Sequence, residues 1–291
     1  MEGTRTAILL TCASALGWSL LDLLRRFLAG RVAALALVAW VTLGAVPPLL
    51  LWALLSPGRP ADAGYLAPAF ASVALNVLAN YAYFRSLQLS EISTTLPMLA
   101  FTPTFAALLG ALILGERIGL RGIGGLLLVV VGALALTLGA GRGGAGLVAG
   151  IRAERGARWM IGVAFLWAVT LLLDKNALGH SSPQLHALVL NAGVAAGALT
   201  ILAMRRELGA LAAMRGSWGL LVGTVLVSAA AISTQLFALE GVELGFLETV
   251  KRGLGGVMAV AFGRALFAEP VTPSKLAAVA LMTTGVGLLV L

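Results

Sequence analysis

The sequence predicts an all-α polytopic membrane protein of about ten transmembrane helices, arranged as two inverted five-helix repeats around a central cavity. Three observations lead there. Of 291 residues, 60% are hydrophobic and only 11% charged, whereas a soluble domain carries about 25% charged residues. The apolar residues form continuous stretches of roughly 20, enough for a helix to span a bilayer, and not the short alternating segments of a barrel. Two parts of the chain also repeat each other's landmarks. Apolar runs fill the chain from Thr6 to Leu291 and the mean hydropathy is +1.00, so neither a water-soluble globule nor a single anchor on a soluble body fits.

Hydropathy and punctuation place the spans at 5–26, 31–55, 64–86, 93–114, 119–139, 158–176, 184–204, 217–238, 246–267 and 273–291. Pro57, Gly58 and Pro60 break the chain after the second span, and Gly115-Glu116-Arg117 after the fourth. Pro97 and Pro103 predict a kink in the fourth. A Gly- and Arg-rich stretch from Gly141 to Arg158 divides the chain into halves, 1–145 and 146–291. The first span carries Trp18 and Asp22 followed by Arg25-Arg26; the sixth carries Trp167 followed by Asp174-Lys175, with the same eight-residue step from Trp to the last cation. Leu114-Gly115-Glu116 is matched by Phe267-Ala268-Glu269. Five spans per repeat require the second copy to enter the membrane upside down, an architecture of many secondary transporters with a midplane site.

A net charge of +8 and a pI near 10.8 do not point to nucleic acid, because the cations are scattered through short loops and helix ends. The single cysteine, Cys12, lies in the first span, so neither a disulfide framework nor a Cys-rich metal site is expected. The first span has full spanning length and lacks a small-residue cleavage site, so no removable signal peptide is expected. No phosphate-binding GxxxxGK[ST] loop is present, and no cofactor or metal is expected.

Function must therefore be read from polar residues inside apolar spans, where each charge costs roughly 2.5–3.5 kcal/mol on insertion scales. Glu248, Lys251 and Arg252 in the ninth span follow i, i+3, i+4 spacing and share one face, continued by Gly255 and Ala259. The plain reading is that Glu248 neutralises a cation near the interface. The functional reading is that the cation pair binds an anion, since one acid cannot neutralise two bases and Arg offers a planar fork for carboxylate or phosphate. Trp18, Asp22, Arg25 and Arg26 form a stripe on the first span, as do Trp167, Leu171, Asp174 and Lys175 on the sixth. The arginines can simply snorkel to headgroups, while the tryptophans are mid-span and can either pack or line a cavity.

On the third span Asn76, Asn80 and Tyr83 share a face, fitted to bridge helices or to hydrogen-bond a polar solute. Ser233, Thr234 and Gln235 hold the corresponding place in the eighth span, and Glu240 and Glu243 after them are expected in a solvated loop. His186 and Asn191 in the seventh span read more simply as hydrogen-bonded packing residues than as a proton relay. Glu116 and Glu269 are expected to serve structure at helix ends. The clusters Gly122-Gly124-Gly125 and Gly253-Gly255-Gly256 are expected to permit close helix approach.

The stretch from Tyr81-Ala82-Tyr83-Phe84-Arg85-Ser86-Leu87 through Ile92-Ser93-Thr94-Thr95-Leu96-Pro97, Phe101-Thr102-Pro103 and Leu112-Ile113-Leu114-Gly115-Glu116-Arg117 resembles the EamA-like branch of the drug/metabolite transporter superfamily. The resemblance implies a ten-helix pseudo-twofold fold, a central cavity and alternating-access transport without ATP. Lys251-Arg252 also resembles the ninth-helix Lys-Arg pair of triose-phosphate and phosphoenolpyruvate translocators, which implies phosphate recognition.

The combined reading is a secondary transporter, not an enzyme, in a bacterial-type inner membrane. It would move a small anionic or zwitterionic metabolite, with a proton or counter-substrate driving it and Glu248 and Asp22 as the acids to carry a proton. The expected substrate-binding residues are Lys251, Arg252, Glu248, Trp18, Asp22, Trp167, Asn80 and Tyr83. Alternative readings are an exporter of hydrophobic drugs, a flippase for a lipid-linked substrate and, more remotely, an intramembrane enzyme using Asp22 and Asp174. Both termini fall on one side. Loop cations Arg5, Arg59, Arg117 and Arg121 on that side are outnumbered by those on the other; the positive-inside rule and the family resemblance then give opposite orientations.

Overall fold

In a computed structural model, residues 2–29, 32–89, 96–138, 155–214, 216–267 and 271–290 are described. Ten α-helices among them follow the predicted spans: α1 (Glu2–Ala29), α2 (Ala34–Leu55), α3 (Leu66–Leu89), α4 (Thr102–Ile113), α5 (Leu120–Leu138), α6 (Arg155–Leu178), α7 (Pro183–Met204), α8 (Trp218–Gly241), α9 (Leu244–Phe267) and α10 (Pro273–Val290). Glu269, Ser93 to Thr95 and most of the Gly- and Arg-rich stretch lie outside the described residues. The predicted fourth span is corrected in detail. Its start is a 3₁₀ segment, Leu96–Phe101, which passes into α4 with Pro103 in the first turn. There the missing proline N–H costs no intrahelical bond.

Five helices are long and apolar enough to cross a membrane by length and composition alone: α1 (over Arg5–Arg25), α2, α6, α7 and α8. Helices α3 and α9 are diluted by Asn76, Asn80 and Arg85 and by Glu248, Lys251, Arg252 and Arg264 respectively. The outer surface is greasy: Leu9, Leu55, Leu112 and Leu120 are all exposed. Water would not tolerate so extensive an apolar surface on a monomer, and lipid would. This is an integral membrane protein.

The helices pack across the halves rather than within them. Helix α1 lies on α8 as α6 lies on α3; α2 packs on α7, α4 on α9 and α5 on α10; α2–α8 is mirrored by α3–α7. Exchanging the halves reproduces this list. Chain direction agrees with inversion: Ala7 meets Gly241 and Gly17 meets Ala231, so α1 and α8 run antiparallel.

Without a hydrophobic driving force between helices in lipid, close approach at small residues supplies the packing. A Cβ built on Gly285 would sit 2.6 Å from the Gly125 carbonyl oxygen, and one on Gly17 3.0 Å from Ala231 Cβ. Gly253 and Gly125 meet α10 as expected of their clusters, whereas Gly124 faces open space. Gly285→Ala is therefore expected to destabilise the protein by about 1–3 kcal/mol through overpacking. Gly124→Ala is expected to be neutral or to stabilise by up to about 1 kcal/mol through helix propensity. Thermal unfolding of the detergent-solubilised protein compares the two.

Candidate functional site

Helix α9 presents Glu248, Lys251 and Arg252 to the interior within its first three turns. Lys251 Nζ donates to Glu248 Oε1 at 2.6 Å and to Gln235 Oε1 of α8 at 2.8 Å, and lies 5.2 Å from the Trp18 ring centroid of α1. Arg252 Nε is 3.8 Å from Glu248 Oε2. On α1, Arg25 and Asp22 are 3.9 Å apart, and the Arg25 guanidinium sits 5.9 Å from the Trp18 ring. Lys251 and Arg252 act electrostatically on Asp22, and Asp22, Arg25 and Arg252 on Tyr83 of α3. Tyr83 in turn meets Trp167 of α6 at 5.6 Å between ring centroids.

Three cations thus face two carboxylates, flanked by three aromatic rings. The Glu248 side chain is only 5% exposed, yet that of Asp22 is 71% exposed although cations of two helices surround it. The cluster is thus open at Asp22 and covered over at Glu248. Trp18 Nε1, Arg252 Nε and Glu248 Oε2 are buried with no hydrogen-bond partner, the last two 3.8 Å apart. Orphaned buried donors of this kind cost about 1–3 kcal/mol until something accepts from them.

Of the residues expected from sequence, Lys251, Arg252, Glu248, Trp18 and Asp22 come together, and Tyr83 and Trp167 stack beside them. Asn80 does not join by its amide: Asn80 Nδ2 donates to the Asn76 carbonyl, and Asn76 Nδ2 to Ser72. Gln235 was legible only as a polar residue in the eighth span, and its bond to Lys251 required the α8–α9 register. Arg25, open to a snorkelling reading, turns to Asp22 and Trp18 instead.

The α6 stripe needs correction. Asp174 and Lys175, placed on one stripe by helical spacing, belong to separate networks because consecutive helical residues point about 100° apart. Asp174 accepts from Ser72 Oγ of α3 and pairs with His186 Nε2 of α7 at 3.0 Å, while His186 Nδ1 meets Tyr65 Oη at 3.1 Å. This network is buried and ties α3, α6 and α7 together. Asp22 and Asp174 consequently serve different clusters. Lys175 instead bonds Glu116 Oε1 and the Val242 carbonyl, each at 2.6 Å, while Glu116 Oε2 accepts the Leu244 N–H at 3.0 Å. The end of α4 in the first half is thereby latched to α6 and to the α8–α9 turn of the second.

The same face carries a second tie between halves. Asp62 accepts the Gly64 N–H at 2.8 Å, which holds its carboxyl below the usual range, and pairs with His180 at 2.9 Å; Arg59 donates to the Gly179 carbonyl. Glu240, expected in a loop, ends α8 as an exposed residue. Glu243 lies in the short α8–α9 turn, half-buried; burial pushes its carboxyl up, the Glu116 carboxylate adds to this and Lys175 opposes it. The bundle is latched at the face bearing the helix ends 55, 113, 178 and 241, and Asp22 is exposed towards the other.

The two halves thus form a duplicated bundle of membrane-spanning helices with a charged interior. The sequence matches the EamA-like transporter family over residues 5–138 and again over 154–291, and the chain belongs to that family. No curated protein matches it. Among solved structures, a crystal structure described only as that of a protein is similar with a TM-score of 0.78 at 19% identity, covering 98% of this chain and 96% of that one. At that identity the likeness concerns the fold alone.

Two outcomes are expected at the latch. In a double-mutant cycle, Glu116→Gln and Lys175→Met should show a coupling of about 0.5–3 kcal/mol, read as non-additive shifts in thermal unfolding. Ionised Glu243 opposes folding because its folded pKa is raised, so its penalty is absent below the ordinary carboxyl pKa and grows as pH rises through the folded value. Glu243→Gln should melt with the parent near pH 4 and above it near pH 8, as scanning calorimetry across that range would reveal.

Proposed function

We propose that the chain is a secondary transporter of a small anionic or zwitterionic metabolite, bound between the halves by Lys251 and Arg252. The observation that carries this reading is the excess of cations over carboxylates at an interior site open at Asp22, together with Arg252 Nε and Trp18 Nε1, buried without a hydrogen bond. An acidic group arriving there neutralises the surplus charge and accepts from those donors; Arg252 offers planar geometry and Lys251 a point charge. Trp18, Tyr83 and Trp167 shape the rest of the site, with Asn80 at its edge. Phosphate esters and carboxylates both meet this description. Opening the Glu116–Lys175 latch while the Asp22 side closes alternates access, and a proton on Glu248 or Asp22, or a counter-substrate, drives the cycle.

A thermal-shift comparison of purified protein with phosphorylated sugars, organic acids, amino acids and hydrophobic drugs tests the reading. Anionic ligands should stabilise the parent. Lys251→Ala and Arg252→Ala should each weaken that response about 10- to 100-fold in ligand concentration, as the loss of a charge-assisted hydrogen bond implies. Equal stabilisation of both variants by anions removes the pair from the site. Stabilisation of all three proteins by hydrophobic drugs alone supports the export of bulky apolar cargo instead.

A further inference from the structure

A second polar feature lies outside the transport site, on the membrane-facing side of α6. Arg155, Arg158, Trp159, Gly162 and Phe165 follow one another at helical spacing and are all exposed, while Ala157, Met160, Val163 and Ala164 pack inward. Between this stripe and Leu78 and Ala82 of α3 runs an open groove of about 450 Å³ that reaches Leu166. Its charge is confined to one end. The eleven helical steps from Arg155 to Leu166 rise about 16 Å, roughly half the hydrocarbon thickness of a bilayer.

Two features set the charged end apart from arginines that merely snorkel. Arg155 and Arg158 lie one turn apart where the described part of α6 begins, both exposed. Among the described residues neither arginine has a carboxylate partner; Glu154, just before them, lies outside the described residues. The pair offers an arriving anion two guanidinium groups on one face. The second feature is the trough below it: a Cβ built on Gly162 meets nothing within 4 Å, so the α6 backbone is bare there. A tryptophan 43% exposed stands at the border between the two, a position suited to a ring at the headgroup level.

We propose that this groove binds one anionic phospholipid, its phosphate between Arg155 and Arg158 and an acyl chain along Gly162 and Leu166 against α3. Basic clefts between transmembrane helices are suited to acidic headgroups, and here an apolar trough of about one leaflet's depth continues from the basic end.

Native mass spectrometry of the full-length protein in detergent tests the assignment, using phosphatidylglycerol, phosphatidylcholine with the same chains, and glycerol phosphate as probes. Phosphatidylglycerol should bind in preference to the other two. The Arg155→Gln/Arg158→Gln double variant should weaken it about 25-fold, about fivefold per cation removed. Gly162→Trp fills open space, so it should keep the parent melting temperature while displacing the chain and weakening phosphatidylglycerol by at least tenfold. Lys251→Ala should retain the lipid, since that residue belongs to the other site. Equal binding of phosphatidylcholine would reduce the groove to ordinary annular contact. Equal binding of glycerol phosphate would make it a site for soluble anions, and unchanged binding in both groove variants would place the lipid elsewhere. Each of these three results overturns the proposal.

Discussion

Neither half of this protein has a core of its own. The strong interfaces run between α1 and α8, α3 and α6, α2 and α7, α4 and α9, and α5 and α10, each pairing one half with the other. Within a half, consecutive helices touch sparsely, apart from α9 against α10. Helices in lipid gain from contact only where their surfaces fit closely. The small residues that provide the fit, such as Gly17 facing Ala231 and Gly193 and Gly197 facing Val73 and Val77, accordingly lie on faces turned to the opposite half. The pseudo-twofold arrangement is thus how the apolar faces are covered at all.

That arrangement also brings the charged sets together. Lys251 and Arg252 pair with Glu248 on α9, as Arg25 pairs with Asp22 on α1, and the two sets, from opposite halves, meet where the halves face one another. The buried Ser72–Asp174–His186–Tyr65 network joins α3 of one half to α6 and α7 of the other by the same logic. The two ends of the molecule are unequal despite the repeat. Glu116 and Lys175 bind each other and the backbone around Val242 and Leu244, tying the halves together at one face, whereas Asp22 is exposed.

Much of this was legible in the sequence, for physical reasons. Continuous apolar runs fixed the number of helices, because the bilayer sets their length, and the cost of charge in lipid singled out Lys251 and Arg252. The spacing of Trp18, Asp22 and Arg25 gave their shared face. Less legible was everything that depends on register between distant helices. Gln235 reaches Lys251 across a turn whose geometry no periodicity encodes, and Tyr65 meets His186 from 121 residues away. The shared stripe misled at Asp174 and Lys175, which point in different directions and hold different partners. At Asn80, a polar residue read as facing a solute was found bonded to its own helix.

The interleaving of the halves has a consequence for how the chain is made. Arg252 follows Asp22 by some 230 positions, and at ribosomal rates of 5–20 residues per second that interval lasts about 10–50 seconds. Throughout it Asp22 and Arg25 lack the charges of α9, and the surfaces of α1 meant for α8 and α9 stay uncovered. The first of the ten helices is thus among the last to find its native neighbours.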